Sequence, residues 1–129
     1  MNLDGKRIIV SRTDSIGDVM LTLPICHWIK QQAPTSHVIF LGKGYTKSVV
    51  EAYIDVDQFE DWAEYVDTDA ATQLNWMRSL KADVIVHVFP NKELASLAKK
   101  AKISRRIGTS HRLYHLLTCT DRVNFTRKN

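Results

Sequence analysis

The chain of 129 residues is poor in the residue types that mark whole classes of protein. It has two cysteines, Cys26 and Cys119, 93 positions apart, in no C-x-x-C pair and with no histidine at ligand spacing. Neither a disulfide framework nor a zinc module is written into it, and both thiols are expected reduced. Five glycines and three prolines are too few for a collagen-like or low-complexity chain. No stretch approaches the roughly 20 apolar residues that cross a bilayer. The opening MNLDGKRIIV lacks both the apolar core and the small-residue cleavage site of a signal peptide. A soluble, unexported, cytoplasmic protein is expected. What is present is 44% hydrophobic residues, enough for one buried core in a chain of single-domain length, which excludes a mainly disordered chain.

Bases are missing where acids gather. Residues 51–70 carry eight acids and no Lys or Arg, whereas residues 92–129 carry ten bases against Glu93 and Asp121. A basic tail attracts phosphate-bearing partners such as nucleic acid, an anionic membrane face or a phosphorylated glycolipid; a solvated face explains the same charges equally well.

Apolar spacing alternates between two periods. Ile8-Ile9-Val10, His37 to Leu41 and Val84 to Phe89 read as buried strands, Gln58 to Trp62 as a weaker one, and Arg105 to Gly108 as a short last one. Between them, helices are expected over Asp18–Gln32, Tyr45–Tyr53, Ala70–Leu80 and Glu93–Ala101. In the first, Val19, Met20, Leu23, Cys26 and Ile29 form the apolar stripe, and Pro24 predicts a kink or a loose first turn. Strands alternating with helices imply an α/β fold with a doubly wound, mostly parallel sheet. Such sheets bind ligands beyond the carboxyl ends of their strands, so the polar residues that follow each strand matter most.

After the first strand comes Arg12-Thr13-Asp14-Ser15-Ile16-Gly17-Asp18, a turn running straight into a helix. Gly17 admits a ligand close to the backbone, the free N–H groups of a helix start can hold an anion, and Asp18 offers a carboxylate. A plain helix cap by Ser15 or Asp18 accounts for the same residues. No Gly-Lys-Ser/Thr follows and the three dinucleotide glycines are absent, so neither a Walker loop nor a dinucleotide fingerprint is present. A receiver-like phosphoacceptor is excluded because Phe89-Pro90-Asn91 supplies no Asp after the central strand. Two D-x-D triplets, Asp55-Val56-Asp57 and Asp67-Thr68-Asp69, lie in the acidic segment and read as solvated loop.

The run from Ile9 to Pro24, IVSRTDSIGDVMLTLP, resembles the opening signature of the heptosyltransferase family, glycosyltransferase family 9, in which a first strand leads into an S-x-G-D-V-x-x-T-x-P turn and helix. The agreement continues by pattern through Asp83-Val84-Ile85-Val86, Leu94 and Leu97, Arg106-Ile107-Gly108 and Leu116-Leu117. The resemblance implies the Rossmann-like N-terminal half of a GT-B enzyme, an inverting, metal-independent glycosyltransferase without a cofactor. Its acceptor would be a glycolipid or lipopolysaccharide core, its nucleotide-sugar donor of the ADP-heptose type. Family members run to about twice this length. Residues 1–129 would then be a single acceptor-side domain, inactive alone, with the donor-binding domain elsewhere.

The family's proposed general base corresponds to Asp18, and Ser15, Gly17 and Thr22 support it; Thr22 can instead bond back to its own helix. Asn91 and Lys92, after a central strand, and His111 and Arg112, where the family presents basic groups, are the further acceptor-binding candidates. Metal ligands are not expected. His87 is expected in the core, and Trp28, Trp62 and Trp76 in core or interface packing. Peripheral contact with the inner face of the cytoplasmic membrane and a homodimer through exposed apolar surface complete the expected partners, with no nucleic acid. The competing function is a free-standing α/β module whose basic tail binds nucleic acid or anionic membrane, with an affinity that falls steeply with salt.

Overall fold

The computed structural model describes residues 3–89 and 91–108, together with the backbone of residues 121–122. Six strands, β1 (Arg7–Ser11), β2 (His37–Gly42), β3 (Gln58–Asp61), β4 (Val84–His87), β5 (Arg105–Gly108) and β6 (Asp121–Arg122), form one sheet in the order β3-β2-β1-β4-β5-β6. Every pairing is parallel, from Ile8 opposite both Val38 and Val84 to Ser11 opposite Leu41 and His87. Four α-helices, α1 (Ile16–Gln32), α2 (Lys47–Glu51), α3 (Ala70–Ser79) and α4 (Lys92–Lys100), cover the two faces.

Strand alternation divides the interior into two cores. Ile8, Val10, Val38, Phe40, Val84 and Val86 pack with Val19, Leu23, Cys26 and Ile29 of α1 and Val50 of α2. The intervening residues Ile9, Ile39, Leu41 and Ile85 pack with Trp76 and Met77 of α3 and Leu94, Leu97 and Ala98 of α4. Consecutive strand residues point to opposite faces, so a strand buried on both sides must read as a continuous apolar run. The sequence order reverses between β1 and β4, which makes the carboxyl ends of these two strands the topological switch point.

Several expectations are corrected in detail. Helix α1 begins at Ile16, two residues before Asp18, and continues through Pro24 to Gln32. The Pro24 ring lies on the solvent side, where losing one backbone donor is tolerated. Met20 does not belong to the buried stripe: it is 57% exposed, about 100° around the helix from Val19. Leu21, at 78%, and Trp28, at 55%, share that outward side, so Trp28 is not a core residue. Trp62 and Trp76 are buried and stacked, with centroids 5.9 Å apart. Strand β4 stops at His87, because the N–H groups of Val88 and Phe89 both turn to the Ser11 carbonyl. His87 itself is fully buried.

The opposite end of the sheet is fastened by side chains. The Arg7 N–H donates to Asp83 at 2.8 Å and its Nε to the Leu80 carbonyl at 2.8 Å. The D-x-D carboxylates are not merely solvated. Asp55 meets His27 at 3.0 Å, Asp57 accepts from the Lys30 ammonium and the Val38 N–H, and Asp69 caps α3 through the Thr72 N–H. Among the described residues no cluster of His, Cys, Asp and Glu could hold a metal ion, and no helix is long and apolar enough to cross a membrane.

Candidate functional site

The β1–α1 turn occupies the switch point, and local chemistry shapes it. Ser15 is extended (φ −72°, ψ 158°) and is the N-cap of α1, its Oγ accepting from the Asp18 N–H at 3.4 Å. The same hydroxyl donates to Asp18 Oδ2 at 2.7 Å, a variant of the capping box in which the cap's side chain, not its backbone, serves the carboxylate. Gly17 has nothing within 4 Å of where a Cβ would stand, so the turn is open to solvent there. The Asp18 carboxyl is 44% exposed. The Ser15 hydrogen bond above all, then hydrogen bonding with Asp14 and the charge of Arg12, hold it below the usual carboxylate range against a desolvation that acts the other way. It is therefore ionised at neutral pH, at the positive end of a 17-residue helix.

The surrounding strand ends hold this turn in place. Arg12 grips Asp14 with both arms of its fork, at 2.9 and 3.1 Å, and lies 3.5 Å from Asp18 Oδ1. Its guanidinium sits 5.9 Å above the centre of the Phe89 ring, which follows β4. Tyr45, beyond β2, donates its hydroxyl to the Asp14 carbonyl at 2.7 Å. Asn91 caps α4 by accepting from the Leu94 N–H at 3.1 Å, and its Nδ2 donates to the buried Thr13 hydroxyl at 3.2 Å.

Ser15, Gly17 and Asp18 thus form one constellation, and Asn91 joins it by way of Thr13. Thr22 is buried and donates to the Asp18 carbonyl at 3.0 Å, so it acts within the helix turn that carries the carboxylate. Lys92 is exposed and lies with Gln73, Leu74, Ser96 and Lys100 on a groove of about 580 Å³ between α3 and α4. His111, Arg112, Cys119 and the Leu116-Leu117 segment lie outside the described residues. Apart from Lys92, which follows the N-cap Asn91, the described bases of this segment do not gather at the Asp18 end of the sheet. Helix α4 runs antiparallel to the strands, so its terminal Lys99 and Lys100, with Lys102 and Arg105, lie at the opposite end of the sheet. Sequence reasoning missed Arg12, Thr13, Asp14, Tyr45 and Phe89 as parts of the site. Their signal was position alone, each following a central strand at its carboxyl end.

No family model and no curated protein matches the chain. Solved structures do. A family 9 glycosyl transferase from Veillonella parvula is similar over 100% of this chain and 39% of its own, at TM-score 0.81 and 25% identity. The E. coli ADP-heptose LPS heptosyltransferase II matches 92% of this chain and 34% of its own, at TM-score 0.71 and 15% identity. E. coli heptosyltransferase WaaC with ADP matches 95% and 42%, at TM-score 0.74 and 14% identity. The chain spans less than half the length of each. The resemblance to family 9 glycosyltransferases seen in residues 9–24 therefore extends to the fold, the Rossmann-like α/β architecture of GT-B enzymes.

Proposed function

We propose that the chain is the acceptor-side half of a heptosyltransferase-like glycosyltransferase in which Asp18 is the general base. The observation that carries this reading is the Asp18 carboxylate, ionised, open to solvent and bonded to Ser15 at the switch point of the sheet. An inverting transfer asks for such a group. As the acceptor oxygen attacks the anomeric carbon opposite the departing nucleoside diphosphate, a carboxylate takes the hydroxyl proton, as one does from water in inverting glycosidases. The nucleotide-sugar donor, of the ADP-heptose type, would be held by a second half and the glycolipid or lipopolysaccharide-core acceptor by this one. The similarity to heptosyltransferases in fold and the match at residues 9–24 support both assignments. A metal-independent reaction fits the structural engagement of Asp55, Asp57 and Asp69, three of the four acids of the D-x-D triplets.

The test is Asp18→Asn in the protein that includes the donor-binding half. Asparagine keeps the size of the side chain and can still accept from Ser15, so the helix-rich circular dichroism and melting temperature should persist. Sugar transfer from ADP-heptose to a lipopolysaccharide-core acceptor should be lost, by about 10²-fold or more. A folded Asp18→Asn enzyme working at the wild-type rate would refute the assignment.

A further inference from the structure

The β1–α1 turn and the end of β4 meet at a group to which the transfer chemistry gives no task, the Arg12 guanidinium. Two of its contacts are in its own turn, the Asp14 carboxylate in two bonds and Asp18 at 3.5 Å, and the third, the Phe89 face at 5.9 Å, comes from a distant part of the chain. With a side chain only 20% exposed, it sits in a partly desolvated niche where its charge acts more strongly than on an open surface. Among the described contacts, the groups facing Asp18 are Arg12, Asp14 and Ser15, all of its own turn. From the neighbouring elements, Tyr45 reaches the Asp14 carbonyl and Phe89 reaches the guanidinium.

Asp14 and Asp18 are two carboxylates four positions apart, and the Arg12 guanidinium contacts both. A planar fork with five donors can neutralise one through a bidentate pair and still present an N–H edge to the second, which a lysine ammonium cannot do with fixed geometry. We propose that Arg12 is a positioning residue for Asp18: seated on Phe89 and gripped by Asp14, its guanidinium holds the Asp18 carboxylate in a fixed orientation at the head of α1. The inference rests on Asp18 acting as the base, but it concerns how that carboxylate is held and needs no turnover to be tested.

The experiment is a carbon-13 carboxyl NMR titration of Asp18 in this chain, as wild type, Arg12→Met, Arg12→Lys and Phe89→Leu. Arg12→Met should shift the Asp18 midpoint upward. Arg12→Lys, which restores charge without the fork, should lie between the two, and Phe89→Leu, which removes the seat, should shift it upward by less than Arg12→Met. If Arg12→Met does not fold, the other two variants carry the comparison. An arginine that only stapled the loop would lower the melting temperature and leave the midpoint in place. Wild-type midpoints in folded Arg12→Met and Arg12→Lys would therefore overturn the proposal. An upward shift together with an active Asp18→Asn enzyme would keep Arg12's hold on the carboxylate and remove the base assignment, so the two failures are distinguishable.

Discussion

Asn91 joins the two halves of the site, and its replacement gives a quantity that can be worked from the structure. Its Oδ1 caps α4 and its Nδ2 is donated to Thr13, whose side chain belongs to a residue only 4% exposed. Asn91→Ala removes both bonds. Loss of an N-cap costs about 1 kcal/mol, and a buried hydroxyl left without its partner costs about 1 kcal/mol more. The expected total is about 2 kcal/mol, which at the slopes usual for small domains lowers the urea midpoint by about 1 M. Asn91→Ser keeps a capping oxygen but not the amide donor, so it should lose only about half as much. In a Thr13→Val background the second contribution has no partner to lose, and Asn91→Ala should cost about 1 kcal/mol less there than in the wild type. Equilibrium urea unfolding followed by circular dichroism measures all four. An Asn91→Ala cost unchanged by Thr13→Val would refute the tie between the loops, and equal losses for Asn91→Ala and Asn91→Ser would refute the cap.

Two further outcomes follow from groups away from the crevice. Burial above all, with the charge of Asp55 adding to it, pushes the Cys26 thiol up to about 12. In a Cys119→Ser background a disulfide reagent at pH 8 should label Cys26 only after unfolding, and rapid labelling of the native chain would contradict its burial. Desolvation raises the Asp57 carboxyl, but the Lys30 and Val38 hydrogen bonds outweigh it and the net shift is downward. A carboxyl depressed in the folded state stabilises the fold above its unfolded value of about 3.9 and loses that contribution as pH falls through the folded value. Stability to urea should therefore drop in acid below about pH 4, and Asp57→Asn should flatten the drop while lowering stability at pH 7. An identical acid profile in Asp57→Asn would exclude Asp57 as a contributor.

The strands were legible because burial on both faces leaves no alternative to runs such as Ile8-Ile9-Val10 and Val84-Ile85-Val86. Their parallel pairing followed from their alternation with helices. Asp18 was singled out by the family resemblance at residues 9–24, because a carboxylate in the first turn of a helix reads equally well as a plain cap. The outward side of α1 was not. Spacing assigns both Val19 and Met20 to the stripe with Leu23, yet only Val19 of the two is buried, and Leu21 and Trp28 are apolar without being buried. The contacts of Arg12 were equally hidden. Its partner Phe89 is 77 positions away in the chain, and no local pattern announces a pairing made by β1 and β4 lying side by side.

The sheet acts as a partition, and this determines how damage would spread. Ile8 and Ile9 are adjacent in the chain, yet they belong to cores that share no buried side chain. Trimming both should cost the sum of the separate losses, whereas trimming Ile8 with Phe40, on the same side, should not. The crevice is where the partition is bridged. Asp18 is carried by the helix of one core and Asn91 by the helix of the other, and the Asn91–Thr13 bond spans the seam. Repacking either core would slide one wall of the crevice against the other, so substitutions deep in the interior should alter the alignment of the site before they unfold the protein.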